Sequence, residues 1–382
     1  MFRNLKPFGL KQLKNLVVNQ GRIESFTSQD PVGSFDEEYD GRGRLVLPGF
    51  VECHTHLVHA GSRGFEMEMK FQGVPYQEIA QKGGGILSTM TATRQASLLE
   101  LQELNKIRIQ NFIKQGVTTL EVKSGYGLDK LNEIKMLESL QANHSVRLIK
   151  TFLGAHAKPP EFPSYDKYLE FLADEVLPEV KKRNLASRVD IFIEKGFFEI
   201  EKSRQYLLAA QKMGFDLAIH ADQLSLSGGT TLAVELGAKS ADHCIQVSDR
   251  EIKSLAKSKT VAVLLPAADL YLKCNYPPAR QMLEAGVQVA LSTDYNPGTS
   301  PTQDLALIGF LARREMRMSL AEVIHAYTVG AAQALGLENE VGKLEKGFSA
   351  DFTLWDDEET DLFLQIGKMR PSRVFRSGIG LK

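Results

Sequence analysis

The sequence predicts an α/β protein: a (β/α)8 barrel resembling a TIM barrel, with a small β domain made from both chain ends. Two observations carry that prediction. Eight apolar runs rich in β-branched or aromatic residues alternate with helix-patterned segments, as expected for repeated βα units around a parallel sheet. At 382 residues the chain is also long enough for one large barrel with additions. In order the runs are VLPGFVECHTH, VTTLEVKSGYG, VRLIKTFLGAH, VDIFIEKGFF, FDLAIHADQ, KSADHCIQ, TVAVLLPAA and VQVALSTDYNPG. Among the helical segments, SLLELQELNKIRIQNFIKQG closes on Gly116, a residue suited to stopping a helix. Residues 1–48 and 341–382 lie outside this repeat. From about residue 12 the first of them reads as short strands with Gly-containing turns, and the second reads the same way, so the two are expected to pack together beside a barrel spanning 49–340.

Composition excludes several classes of function. With 46 basic and 47 acidic residues and no basic block, nothing suggests nucleic acid or an anionic membrane as partner. The apolar residues, 43% of the chain, are dispersed, and no run approaches the length of a membrane span. The N-terminus lacks the apolar core and cleavage site of a secretory signal. Cys53, Cys244 and Cys274 form no C-x-x-C motif, which points to buried thiols in a reducing cytoplasm.

Chemistry in such a barrel gathers where the strands end, because the loops there converge on one mouth. His54 and His56 end the first predicted strand, His156 the third, His220 the fifth, His243 the sixth and Asp294 the eighth, while His59, His144 and His325 fall elsewhere. Alternation in a strand puts His54 and His56 on one face, with Cys53 and Thr55 on the other. A lone His-x-His is common as a hydrogen-bonded pair; the company at one rim is what turns this one into a candidate metal site. The simplest set of ligands is His54, His56, His220 and Asp294, with one position open to water. Asp294 could then move the water's proton to a leaving nitrogen, and His243 could hydrogen-bond the oxygen where charge develops, unless it is a core histidine packed against Cys244.

PGFVECHTHLVHAGSR, GGGILSTMTATRQAS, EVKSGYGL, LGAHAKPPE, HADQ, SADH, LLPAA and TDYNPGTSP, in this order and spacing, resemble the imidazolonepropionase family of the metal-dependent amidohydrolases from about residue 45 to about residue 350. The resemblance implies hydrolysis of the cyclic amide 4-imidazolone-5-propanoate to N-formimidoyl-L-glutamate in histidine degradation, with one Zn2+ or Fe3+ ion per subunit. It also implies that Arg63, Tyr126 and His156 hold the substrate, that Gln223 contacts the ring or the attacking water, and that Asn296, Gly298 and Thr299 donate to substrate or product. A guanidinium suits the carboxylate tail of such a substrate. Some family members carry glutamate where Gln223 stands; an amide cannot shuttle a proton, so Asp294, with His243, is left to do so here. Glu52 replaces a customary Asp, and LLPAAD a commoner LLPGA, without loss of a ligand. Glu194 and Lys195 raise the question of a second metal, as binuclear relatives use that region. A deaminase or deacetylase would share barrel and metal, so only the substrate-holding residues discriminate. A barrel that had lost the reaction would be expected to have lost ligands too. Barrels of this size often self-associate, which makes a homodimer the oligomer to expect.

Overall fold

The computed structural model describes residues 1–74, 78, 84–141 and 145–381; His144 lies outside them. Strands Phe50–Glu52, Val117–Lys123, Arg147–Ala155, Arg188–Ile193, Asp216–Ala221, Ser240–His243, Val261–Leu264 and Val289–Leu291 pair in parallel, each with the next in chain order. Helices cover this sheet, so its strands are buried on both faces and read as near-continuous apolar runs. The helix Leu98–Ile113 is typical: Ser97 and Glu100 form a reciprocal cap at its start, and Leu101, Ile109, Phe112 and Ile113 face the core. Gly116 follows with φ 96°, the left-handed turn expected of it. The segment 165–182 is continuous, but its middle turn, Leu172–Val176, winds as a π-helix.

Between the first and eighth strands the backbone link shrinks to the Thr55–Tyr295 bridge and a 2.9 Å bond from His56 N–H to the Tyr295 carbonyl. Side chains complete the closure. Glu52 accepts from the Ser292 hydroxyl and, at 3.0 Å, from Thr293 N–H, while Ser292 Oγ accepts His54 N–H at 2.8 Å. Burial pushes the Glu52 carboxyl up to about 8 despite these bonds.

The second sheet is mixed and joins both chain ends. Its order is Ile379–Leu381, Arg373–Arg376, Phe352–Trp355, Leu45–Pro48, Phe2–Pro7, Lys14–Asn19 and Arg22–Thr27, with Tyr39–Asp40 beside Phe2–Pro7. Phe2–Pro7, which the sequence pattern missed, lies inside this sheet, where Phe2 meets Phe352 and Phe375 with ring centroids 4.8 and 5.0 Å away. The run VLPGFVECHTH is not one strand. Leu45–Pro48 belongs to the mixed sheet and Phe50–Glu52 to the barrel, with Gly49 between them. A Cβ at Gly49 would lie 2.3 Å from Thr118 Oγ1, so only glycine lets the chain pass there. Farther on, Trp355, Leu362, Phe363 and Met369 join the apolar cluster of the barrel. Among the described residues no helix is long and apolar enough to cross a membrane.

Candidate active site

The rim brings together every metal ligand expected from the sequence. Thr55 is pinned to the second strand: its N–H and hydroxyl donate to Glu121 Oε2 (3.1 Å) and the Glu121 carbonyl (2.7 Å), and its carbonyl accepts Lys123 N–H (3.0 Å). That leaves His54 and His56 facing the barrel mouth. Their Nε2 atoms stand 3.3 Å apart, His220 Nε2 is 3.4 Å from His56 Nε2, and Asp294 Oδ1 is 3.2 and 3.5 Å from the Nε2 atoms of His56 and His54. Ligands about 2.1 Å from a shared ion in a tetrahedral arrangement are separated by about 3.4 Å.

Hydrogen bonding decides which ring nitrogens are free. His54 Nδ1 pairs with Asp242 Oδ2 at 2.6 Å and His220 Nδ1 with Asp190 at 3.1 Å; carboxylates only accept, so both rings donate from Nδ1 there and turn Nε2 inward. Asp294 Oδ1 is buried without a hydrogen bond. Lone pairs and a carboxylate oxygen so close repel one another unless a cation stands among them, and the donor set therefore fits a metal ion. Burial keeps His54 and His56 well below the usual histidine range, in the neutral form that ligates. Burial opposes the charge of His220 as well, but Asp190 outweighs it and raises that pKa.

His243 is also within ligand reach of His54 and His220, but no carboxylate holds its Nδ1. Burial lowers its pKa to about 4. Its backbone, φ 76°, and that of Asp294, φ 52°, are both left-handed, a strain of about 1–3 kcal/mol each.

A cavity of about 470 Å³ opens over the cluster, lined by Arg63, Tyr126, His156, Gln223, Asn296 and Thr299 as well as by His56, His220, His243 and Asp294. Arg63 is gripped by Glu66 through Nε (2.8 Å) and Nη2 (2.7 Å), and Glu66 also accepts Gly85 N–H (2.7 Å). Tyr126 rides on a loop whose Gly125, Gly127 and Leu128 N–H groups all donate to the buried Glu133 carboxylate, at 2.8–3.1 Å. His156 stacks on His56, with centroids 4.8 Å apart, and pairs Nδ1 with the Gly125 carbonyl at 3.0 Å. Burial takes the His156 pKa down to about 4, so Nε2 is an acceptor. The Gln223 amide has no hydrogen-bond partner among the described residues.

The Asn-Pro-Gly loop uses its donors differently from what the resemblance implies. Asn296 Oδ1 accepts Gly298 N–H (2.9 Å), Thr299 N–H (2.7 Å) and the Thr299 hydroxyl (3.1 Å), and its Nδ2 donates to the Asp294 carbonyl (2.7 Å). This is an Asx turn that fixes the Asp294 backbone. Gly298 matters through its missing side chain: a Cβ would lie 1.9 Å from Arg63 Nη1. Gly298→Ala is expected to displace the guanidinium and raise KM about tenfold with little change in kcat, which steady-state kinetics will read.

Sequence reasoning missed the charges beneath the histidines. Asp190, Asp242, Glu121 and Lys123 are buried in the strands, with Lys123 Nζ 2.9 Å from both Glu121 Oε1 and Asp190 Oδ2. The available signal was a charged residue inside strands otherwise apolar on both faces, as in VDIFI and LEVK. Glu194, considered for a second metal, instead accepts Leu224 N–H (2.8 Å), Ser225 N–H (3.2 Å) and Lys195 N–H (3.0 Å), which ties down the loop carrying Gln223.

Comparison with known proteins supplies the context. The model of the amidohydrolase family matches residues 198–379. The imidazolonepropionase of Bdellovibrio bacteriovorus is 60% identical over 341 residues, covering 89% of this chain and 81% of that protein. That of Bacillus mycoides is 47% identical over 325 residues, covering 84% and 77%. Among solved structures, 5-methylcytosine deaminase from Klebsiella pneumoniae, liganded with 5-fluorocytosine, matches with a TM-score of 0.78 over all of this chain and 97% of the other; at 17% identity this is a likeness of fold alone.

Proposed function

The chain belongs to the imidazolonepropionase family of amidohydrolases, and from that membership we propose how its rim site works. The protein is a metal-dependent hydrolase of the carbon–nitrogen bond in a cyclic amide, 4-imidazolone-5-propanoate, and yields N-formimidoyl-L-glutamate in histidine degradation. The observation that carries the site assignment is the convergence of three imidazole nitrogens and one carboxylate oxygen at 3.2–3.5 Å on the floor of the cavity.

His54, His56, His220 and Asp294 hold one Zn2+ or Fe3+ ion. Such an ion supplies Lewis acidity and makes water a nucleophile near neutral pH. Asp190, His220 and Asp242 also come within ligand distance of one another, but the Lys123 ammonium is the cation among them, so among the described residues the rim cluster is the place for the ion. Arg63, held by Glu66, takes the propionate carboxylate, and the Tyr126 hydroxyl adds a further donor. His156 Nε2 accepts a ring N–H, and the Gln223 amide orients the ring. His243, neutral, donates to the carbonyl oxygen as charge develops there. Asp294 accepts the proton of the attacking water and returns it to the ring nitrogen as the bond opens. Asn296 positions Asp294; Gly298 and Thr299 shape the wall behind Arg63.

The buried free thiols of Cys53 and Cys244 suit a reducing cytoplasm, and a homodimer and a division into 1–48 with 341–382 against 49–340 complete the reading. The deciding experiment follows ultraviolet loss of the imidazolone ring before and after chelation and metal return. Activity is expected to fall at least about 100-fold on chelation and to return with one equivalent of zinc or iron. A metal-loaded protein that leaves the ring intact would sink the substrate assignment and favour a deaminase.

A further inference from the structure

We propose that Lys123 is a positioning residue of the metal centre, its ammonium holding Asp190 and Asp242 in the places from which they turn His220 and His54 toward the ion. The Lys123 Nζ atom lies 2.9 Å from Asp190 Oδ2 and 3.9 Å from Asp242 Oδ2. The same Asp242 oxygen receives His54 Nδ1 at 2.6 Å, and Asp190 receives His220 Nδ1 at 3.1 Å. One buried cation therefore underlies both carboxylate–histidine pairs, and those histidines sit on the first and fifth strands, which do not adjoin.

Glu121 fixes the ammonium from the other side, 2.9 Å away, and its second oxygen holds Thr55 N–H between the two ligating histidines. The Lys123 backbone N–H grips the Thr55 carbonyl in turn. The end of the second strand thus sets the His54–Thr55–His56 arm through its backbone and the histidine orientation through its side chains. Removing the ammonium would leave Asp190 and Asp242 facing each other uncompensated in a buried site, where like charges drive each other away from the histidines. A flexible hydrocarbon of similar length would fill the space without restoring the tie.

The test uses the full chain and zinc alone. Lys123→Met is expected to weaken zinc binding about 10- to 100-fold in competition with a chromophoric chelator, while far-UV circular dichroism stays that of the parent. A residue that merely supported the fold would lower the melting temperature and leave the zinc constant alone, so a folded variant binding zinc within about threefold of the parent overturns the proposal. Histidine side-chain 15N spectra of the metal-free parent give an answer that needs no variant. His54 and His220 are each expected to carry a proton on Nδ1, and a ring of either that lacks the Nδ1 proton overturns the proposal. Should Lys123→Met fail to fold, Lys123→Gln, which keeps a donor but no charge, carries the zinc measurement. The inference rests on the metal reading: a parent chain that binds no zinc fails that reading, whereas a parent and variant that bind it equally fail only this one.

Discussion

Asp294→Asn is expected to lower kcat about 1,000-fold or more while the barrel stays folded. Burial works against the Asp294 carboxylate, but the surrounding His54, His243 and His220 rings outweigh it and hold its pKa below the usual carboxylate value, so the group is ionised at neutral pH. Asparagine retains an oxygen for the ion and loses the ability to take up a proton. Metal content of the purified variant, measured beside kcat, separates the two roles. A variant that keeps its metal and loses turnover shows the proton role, and adding metal will not rescue it. A metal-loaded variant with more than about a tenth of the parent kcat would mean that another group carries the proton, and His243 would be the next to replace.

Arg63→Ala is expected to raise KM about 30- to 150-fold, the counterpart of losing about 2–3 kcal/mol of charge-assisted hydrogen bonding, with kcat within about threefold of the parent. Glu66 reinforces the effect. Its carboxylate is 1% exposed and paired with Arg63, so truncating the arginine leaves an anion close to where the substrate's own carboxylate must lie. Arg63→Lys should recover little, because a single ammonium cannot present the planar fork that Glu66 and a second carboxylate both require. The internal control is an imidazolone analogue without the carboxylate, whose kinetics should be indifferent to the substitution. An unchanged KM for the natural tail would place the carboxylate elsewhere in the cavity.

The rim was legible in the sequence because histidine is scarce and strand ends are marked. Eight histidines in 382 residues, most of them where apolar runs stop, amount to a pattern that composition alone would not produce. The carboxylates behind them were not legible. An acid inside an apolar strand, such as Asp190 in VDIFI, is a sign of burial, but which histidine Asp190 or Asp242 pairs with across other strands cannot be read from one segment. Periodicity failed in a different way at VLPGFVECHTH: it registers extended backbone but not a change of sheet, and the change falls on Gly49, whose cause is a side chain far along the chain, Thr118. Phe2–Pro7 was hidden because its charged residues and Pro7 look like a tail, and only its neighbours in the mixed sheet show why Phe2 and Leu5 are buried. The loop at Asn296 was read for its donors; that those donors are spent on a turn depends on dihedral angles no sequence displays.

The seam between the first and eighth strands has a mechanical meaning. A barrel is a hoop of staves, and here the last joint depends on Glu52, Ser292 and one short bridge instead of a full ladder of backbone bonds. His54 and His56 stand on one side of that joint and Asp294 on the other. An ion bound to all three, as proposed above, would be a rivet through this stave joint, and its binding energy would also be cohesion of the hoop. Heat resistance would then rise with metal occupancy, and the protein's durability would follow how much of the ion its surroundings supply.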